Sequence, residues 1–91
     1  MAAAAKSEPT VQIRNLTRSP IEIETGVEQF GKPFTLLLGS VDDGRAARKK
    51  GAPEGSLDNR VDVPRSLWAR IVERNRVVKA LVDDGDFEVI G

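Results

Sequence analysis

From Asp42 to Arg60 the chain offers almost no apolar side chain, and in a sequence of 91 residues that gap limits every fold it could adopt. The stretch holds three glycines (Gly44, Gly51, Gly55), Pro53, and the cations Arg45, Arg48, Lys49 and Lys50. The first ten residues, MAAAAKSEPT, also lack an amphipathic pattern. Roughly 60 residues are then left to build a core, a size at which stability is marginal and is often supplemented by metals, disulfides or association. Cysteine is absent, so neither a disulfide nor a thiolate metal site can supply the supplement. Contacts with other protein chains remain, and a homo-oligomer or membership of a larger assembly is the expectation.

Between the polar stretches the apolar residues are periodic. Val11 and Ile13, with Leu16 beyond, alternate with Thr10, Gln12 and Arg14, the period of a half-buried strand. Thr17-Arg18-Ser19-Pro20 reads as a turn, and Ile21 and Ile23 alternate with Glu22 and Glu24. Two such runs joined by a short turn predict an N-terminal antiparallel hairpin with Gln12, Arg14, Glu22 and Glu24 on its wet face. Gly26, Gly31 and Pro33 mark an irregular connection, and Phe34-Thr35-Leu36-Leu37-Leu38 comes next as a third strand. Leu37 points away from Phe34, Leu36 and Leu38, so a partner surface is one reading of it and internal core the other.

The C-terminal half reads as helical. Val61 and Val63 form a short extended lead into Pro64, which suits the first position of a helix. Leu67, Trp68, Ile71 and Val72 form one helical stripe; Val77, Val78, Leu81 and Val82 form a second. At 3.6 residues per turn one straight helix would smear the two stripes over a wide face, so a break near Asn75, which can cap a second helix, is expected. Gly85 suits the position just past a helix C-terminus, and Asp86–Ile90 closes the chain as a strand. The expected fold is α+β: a small antiparallel sheet of N-terminal hairpin, third strand and C-terminal strand, packed with two short helices. Residues 1–10 read as an extended tail, and 11–91 as one domain with a long polar arm or loop at 42–60. An unstructured loop of that length is unusual inside a compact domain, which makes the arm a candidate for reaching a neighbour.

Chemistry is scarce in this sequence. Histidine, cysteine and tyrosine are all missing, which removes the usual general base, the thiolate nucleophile and imidazole metal ligands. No phosphate-binding glycine loop and no nucleophile-elbow pattern is present. Asp83-Asp84-Gly85-Asp86 resembles a cation site only superficially, because ligands at alternating positions and a distal glutamate are missing. An enzyme, a cofactor and a metal are therefore not expected. Nor is a membrane span or a secretory leader, and a soluble product made in a reducing compartment is the reading.

Charge offers patches instead. The 14 basic and 14 acidic residues cancel, so the global surplus that a duplex-DNA binder needs is missing. Locally, Arg65, Arg70, Arg74, Arg76 and Lys79 stand against Glu73 alone, and Asp83, Asp84, Asp86 and Glu88 come after them without a cation. Such a split suits electrostatic registry between subunits, solvated faces being the plain alternative. The four aromatics, Phe30, Phe34, Trp68 and Phe87, are expected inside, with Trp68 on its basic helix the one that could anchor an interface. The candidate partner-contact residues are Leu37, Arg45, Arg48, Lys49, Lys50, Arg65, Trp68, Arg70, Arg74 and Lys79. A small nucleic-acid-associated or regulatory adaptor using Arg45–Lys50 and the basic helices is the alternative, although no aromatic is interleaved there for base stacking.

Two stretches are familiar together: Val11-Gln12-Ile13-Arg14-Asn15-Leu16-Thr17-Arg18-Ser19-Pro20-Ile21-Glu22-Ile23, and Val63-Pro64-Arg65-Ser66-Leu67-Trp68 with the later run Val78–Val89 ending in Asp83-Asp84-Gly85-Asp86-Phe87-Glu88-Val89. This layout resembles the short accessory virion proteins of tailed bacteriophages that decorate or complete the head or form the neck. The resemblance implies a structural role between larger capsid, portal or neck subunits, in a virion assembled in the host cytoplasm. It leaves out the arm at 42–60.

Overall fold

The structure is a computed structural model, and it describes residues 8–91. The expected tail at 1–10 lies outside the described residues up to residue 7. In chain order the elements are β1 (Thr10–Asn15), β2 (Ile21–Gln29), β3 (Lys32–Leu38), α1 (Val41–Ala47), β4 (Arg60–Pro64), α2 (Arg65–Arg74), α3 (Arg76–Asp83) and β5 (Phe87–Ile90). The strands form two antiparallel sheets, a three-stranded one of order β4-β1-β5 and the two-stranded β2-β3 hairpin. The α+β class expected from the sequence is the class observed.

The strand pairing differs from the expected one. β1 does not pair with β2; it is the central strand, with Ile13 opposite Val61 on one side and Val89 on the other. The reason lies at Asn15. Its side-chain amide donates to the carbonyls of Ser19 and Gly39, each at 2.9 Å, and its carbonyl oxygen accepts from the Thr17 amide and hydroxyl. These bonds fold Leu16–Pro20 out of the sheet, so β2 leaves in another direction and takes its partner from β3. Gln12 and Arg14 therefore face Asp62, Arg60 and Glu88, not Glu22 and Glu24.

The connection expected around Gly26 is strand as well. β2 runs on to Gln29, with a bulge between Glu24 and Glu28 where Gly26 takes a positive φ of 77°. Thr25 stabilises the bulge by donating its hydroxyl to the Phe34 carbonyl at 2.7 Å.

The helical half agrees with its periodicity except at Val77, which is expected in the second stripe and is exposed. Asn75 ends α2 in an extended conformation, and its side chain accepts from Val78 N at 3.0 Å to cap α3. Asn75 also donates to the carbonyls of Glu24 and Thr25, tying the helix junction to the bulge. Pro64 stands one place earlier than expected, as the last residue of β4, and has no side chain with which to cap α2. Glu8 and Pro9 serve instead: Ser66 N donates to the Glu8 carboxylate and Arg65 N to the Pro9 carbonyl. The core lies between the sheets and helices, with Ile13, Leu36, Leu38, Val63, Ile71 and Val78 wholly buried.

The segment 42–60 is anchored rather than free. Its start is helix α1, and Ser40 and Asp43 form a reciprocal capping box, Asp43 N to Ser40 Oγ and Ser40 N to Asp43 Oδ2, both at 3.0 Å. Its end is pinned by Asn59, whose amide donates to the Asn15 carbonyl at 2.9 Å. Arg48 closes the segment on itself, donating to Asp58 at 2.6 Å and to Asn59 Oδ1 at 2.8 Å.

Candidate interaction surface

Three regions carry the expected partner-contact residues, and the structure does not bring them together. Arg45, Arg48, Lys49 and Lys50 lie on and after α1. Arg48 is spent on Asp58 and Asn59, while Arg45 is 3.9 Å from Asp42 across one helical turn. Lys49 and Lys50 are exposed and have no carboxylate within ion-pair distance among the described residues. Arg65, Arg70 and Arg74 lie on α2: Arg65 donates to the Gly91 carbonyl at 3.2 Å, and Arg70 and Arg74 are exposed. Lys79 on α3 pairs with Asp83 at 3.0 Å. Surface ion pairs of this kind contribute little, so these side chains can exchange partners at small cost.

The two apolar candidates part company. Leu37 is 48 % exposed on the outer face of the hairpin, opposite Glu22. Trp68 is only 8 % exposed and packs in the core, so it leaves a partner little surface to grip. The helical stripe shared with Leu67 and Ile71 places it there.

The most exposed aromatic is one assigned to the interior from sequence. Phe30 is 92 % exposed. With Gly31 it forms the two-residue turn between β2 and β3, closed by the pair Gln29 and Lys32. Both turn residues have positive φ, 54° for Phe30 and 76° for Gly31, the pattern of a type I′ hairpin. That turn favours Asn, Asp or Gly at its first position, because a side chain at positive φ crowds the backbone. Phenylalanine is thus held in a disfavoured conformation while its ring faces solvent. The signal was present in the sequence as a two-residue Phe-Gly step between strand-forming runs.

Behind the tip, the hairpin and the start of α2 enclose an open groove of about 300 Å³ lined by Glu8, Glu28, Phe30, Leu67 and Arg70 among others. A second open groove, of about 450 Å³, lies between α1 and the turns after it, lined by Pro20, Asp43, Ala46, Ala47, Pro53, Ser56 and Leu57. Asp43 is the one carboxylate in that groove, and its hydrogen bonds with Ser40 hold its pKa below the usual carboxylate value.

Among the described residues, no group of three or more acidic side chains is placed to hold a metal ion. No helix among them is long and apolar enough to cross a membrane. Comparison with known proteins found no matching family model, no matching characterised protein and no matching solved structure.

Proposed function

We propose that this protein is a non-enzymatic structural module that docks on other protein subunits through the tip of the β2–β3 hairpin. The observation that carries this reading is Phe30, an exposed aromatic ring kept at a backbone conformation that costs folding energy. Strain of this kind persists where the surroundings over-determine it, and it concentrates at clamps and binding elements. Phenylalanine, like the other aromatics, is enriched in the buried cores of protein interfaces. Leu37 is a second exposed apolar side chain on the outer face of the same hairpin, at the end away from the tip.

The setting comes from the resemblance of the two ends of the chain to accessory virion proteins: a phage particle, in which the module would stabilise contacts between larger capsid or neck subunits. The nucleic-acid reading is the weaker one because no aromatic side chain is interleaved with Arg45, Arg48, Lys49 and Lys50 for base stacking, and Arg48 is held by Asp58 and Asn59.

The test is incorporation. In purified particles of a phage that encodes this chain, the protein should be present in a fixed ratio to the major capsid subunit. A folded Phe30→Asn variant should be left behind in the lysate. A protein absent from particles, or a variant incorporated at the normal ratio, would overturn the reading.

A further inference from the structure

Arg48 closes the neck of a loop. Its guanidinium holds Asp58 and Asn59, and so brings the two ends of residues 49–57 together. Backbone bonds fix the far end to the body of the protein, Gly39 N to the Asp58 carbonyl at 2.9 Å and Asn15 N to the Asn59 carbonyl at 2.8 Å. Residues 49–57 contain no helix or strand, and all of them except Ala52 are exposed. Their backbone bonds are local turns: Lys49 N to the Ala46 carbonyl, Ala52 N to that of Lys49, and Ser56 N to that of Pro53. A short excursion closed at its neck in this way is an Ω-loop.

Two lysines, Lys49 and Lys50, stand side by side in the first turn of this loop, both exposed. A protease binds its substrate as an extended segment, so exposed loops are cut before helices and strands. Most other cations among the described residues lie within α1, α2, α3 or a strand. Lys32 opens β3 and is followed by Pro33, and the bond before a proline resists proteases that cut after basic residues. Arg18 is exposed, but its turn is held by the Asn15 side chain on the Ser19 carbonyl.

We propose that Lys49-Lys50 is a cleavage site for proteases that cut after basic residues, and that the nicked chain stays folded as two interlocked pieces. Water adds across the Lys50–Gly51 peptide bond, leaving a carboxylate on Lys50 and an ammonium on Gly51. The first piece supplies β1, which lies between β4 and β5 of the second. The core is shared in the same way, Ile13, Leu36 and Leu38 coming from one piece and Val63, Ile71 and Val78 from the other. The bonds from Arg48 to Asp58 and Asn59 also run between the pieces. This inference is independent of the docking reading, since the β2–β3 hairpin remains whole in the first piece.

Limited digestion of the wild-type chain with trypsin, read by mass spectrometry and native size-exclusion chromatography, tests the proposal. The first cut within residues 8–91 should come after Lys49 or Lys50; removal of residues 1–6 at Lys6 registers separately, as a shorter first fragment. The two pieces should elute together at the volume of the uncut chain and separate only in denaturant. A double variant, Lys49→Gln with Lys50→Gln, should outlast the wild type by at least about tenfold, because its remaining sites within 8–91 are reached only through local opening. A first cut at Arg18 or inside α2 or α3, a nicked chain that falls apart or loses its circular-dichroism signal, or a double variant cut as fast as the wild type would overturn the proposal.

Discussion

Asn15 and Asn59 hold each other through two hydrogen bonds across 44 residues of sequence: Asn15 N donates to the Asn59 carbonyl at 2.8 Å, and the Asn59 side-chain amide donates to the Asn15 carbonyl at 2.9 Å. Both residues are buried, and the Asn15 side chain uses all four of its hydrogen-bonding capacities on Ser19, Gly39 and Thr17. The pair is the point at which the turn after β1, the end of β3 and the end of the 42–60 segment meet.

Asn15→Ala should therefore lower stability by about 2 kcal/mol, since it strands the buried Gly39 carbonyl and removes the part-buried bonds to the Ser19 carbonyl and the Thr17 amide. Urea unfolding measures it. Asn15→Asp should fare no better, because a carboxylate in place of the amide would face two carbonyl oxygens. A loss under about 1 kcal/mol for both, the net worth of a single ordinary hydrogen bond, would mean that water replaces these bonds freely and that the pair does not organise the fold.

Gly44 shows the same junction from the helix side. It is the buried residue of α1, and a methyl group there would run into the Asn59 side-chain amide and come within 2.8 Å of the Asn59 backbone nitrogen. Gly44→Ala ordinarily favours a helix by roughly 1 kcal/mol. Here it should destabilise the protein by about 2 kcal/mol or more, since Asn59 must move and give up its bond to Asn15. Thermal unfolding of the variant decides the sign.

The Ser40–Asp43 cap makes α1 sensitive to acid. Hydrogen bonds from Ser40 lower the Asp43 pKa in the folded protein. A depressed folded value contributes stability that is fully present above the unfolded value and is lost as pH falls through the folded one. The helical signal of α1, read from the amide resonances of Ala46 and Ala47, should weaken below roughly pH 4, the range in which an ordinary aspartate takes up its proton. Asp43→Asn should flatten that response, and Ser40→Ala should remove the cap at a cost of about 1 kcal/mol at neutral pH. A response that persists unchanged in Asp43→Asn would assign the titration to another group.

Where periodicity and capping act within a few residues, the sequence was readable. The stripe Leu67–Val72, the break at Asn75 and the stop at Gly85 appear where local rules place them, while of the second stripe Val78, Leu81 and Val82 pack on the core and Val77 is 59 % exposed. The Ser40-x-x-Asp43 capping box was equally local, yet the polar character of residues 42–60 hid α1 behind the expectation of a loop. Pairing was not readable in the same way. Nothing near β1 announces that its partners lie at Arg60–Pro64 and Phe87–Ile90, because that choice is made by a buried polar junction of distant residues. Phe30 was misplaced for a related reason: hydrophobicity argues for burial, and only the two-residue turn geometry overrides it.

That geometry sets a trade between stability and docking at a single side chain. Phe30 buries almost nothing, so replacing it costs little packing, while a residue suited to positive φ relieves the turn. Phe30→Asn would create an Asn-Gly type I′ turn and should raise stability by about 1 kcal/mol, a Tm increase of roughly 4–8 °C for a domain of this size. Phe30→Leu keeps an apolar side chain in the same conformation and should leave Tm nearly unchanged. The proposed docking should respond in the opposite order, lost in Phe30→Asn and retained in part by Phe30→Leu. If Phe30→Asn instead lowers Tm, the ring supports the fold through contacts with the groove beside Leu67 and Arg70, and its exposure would no longer mark a docking element.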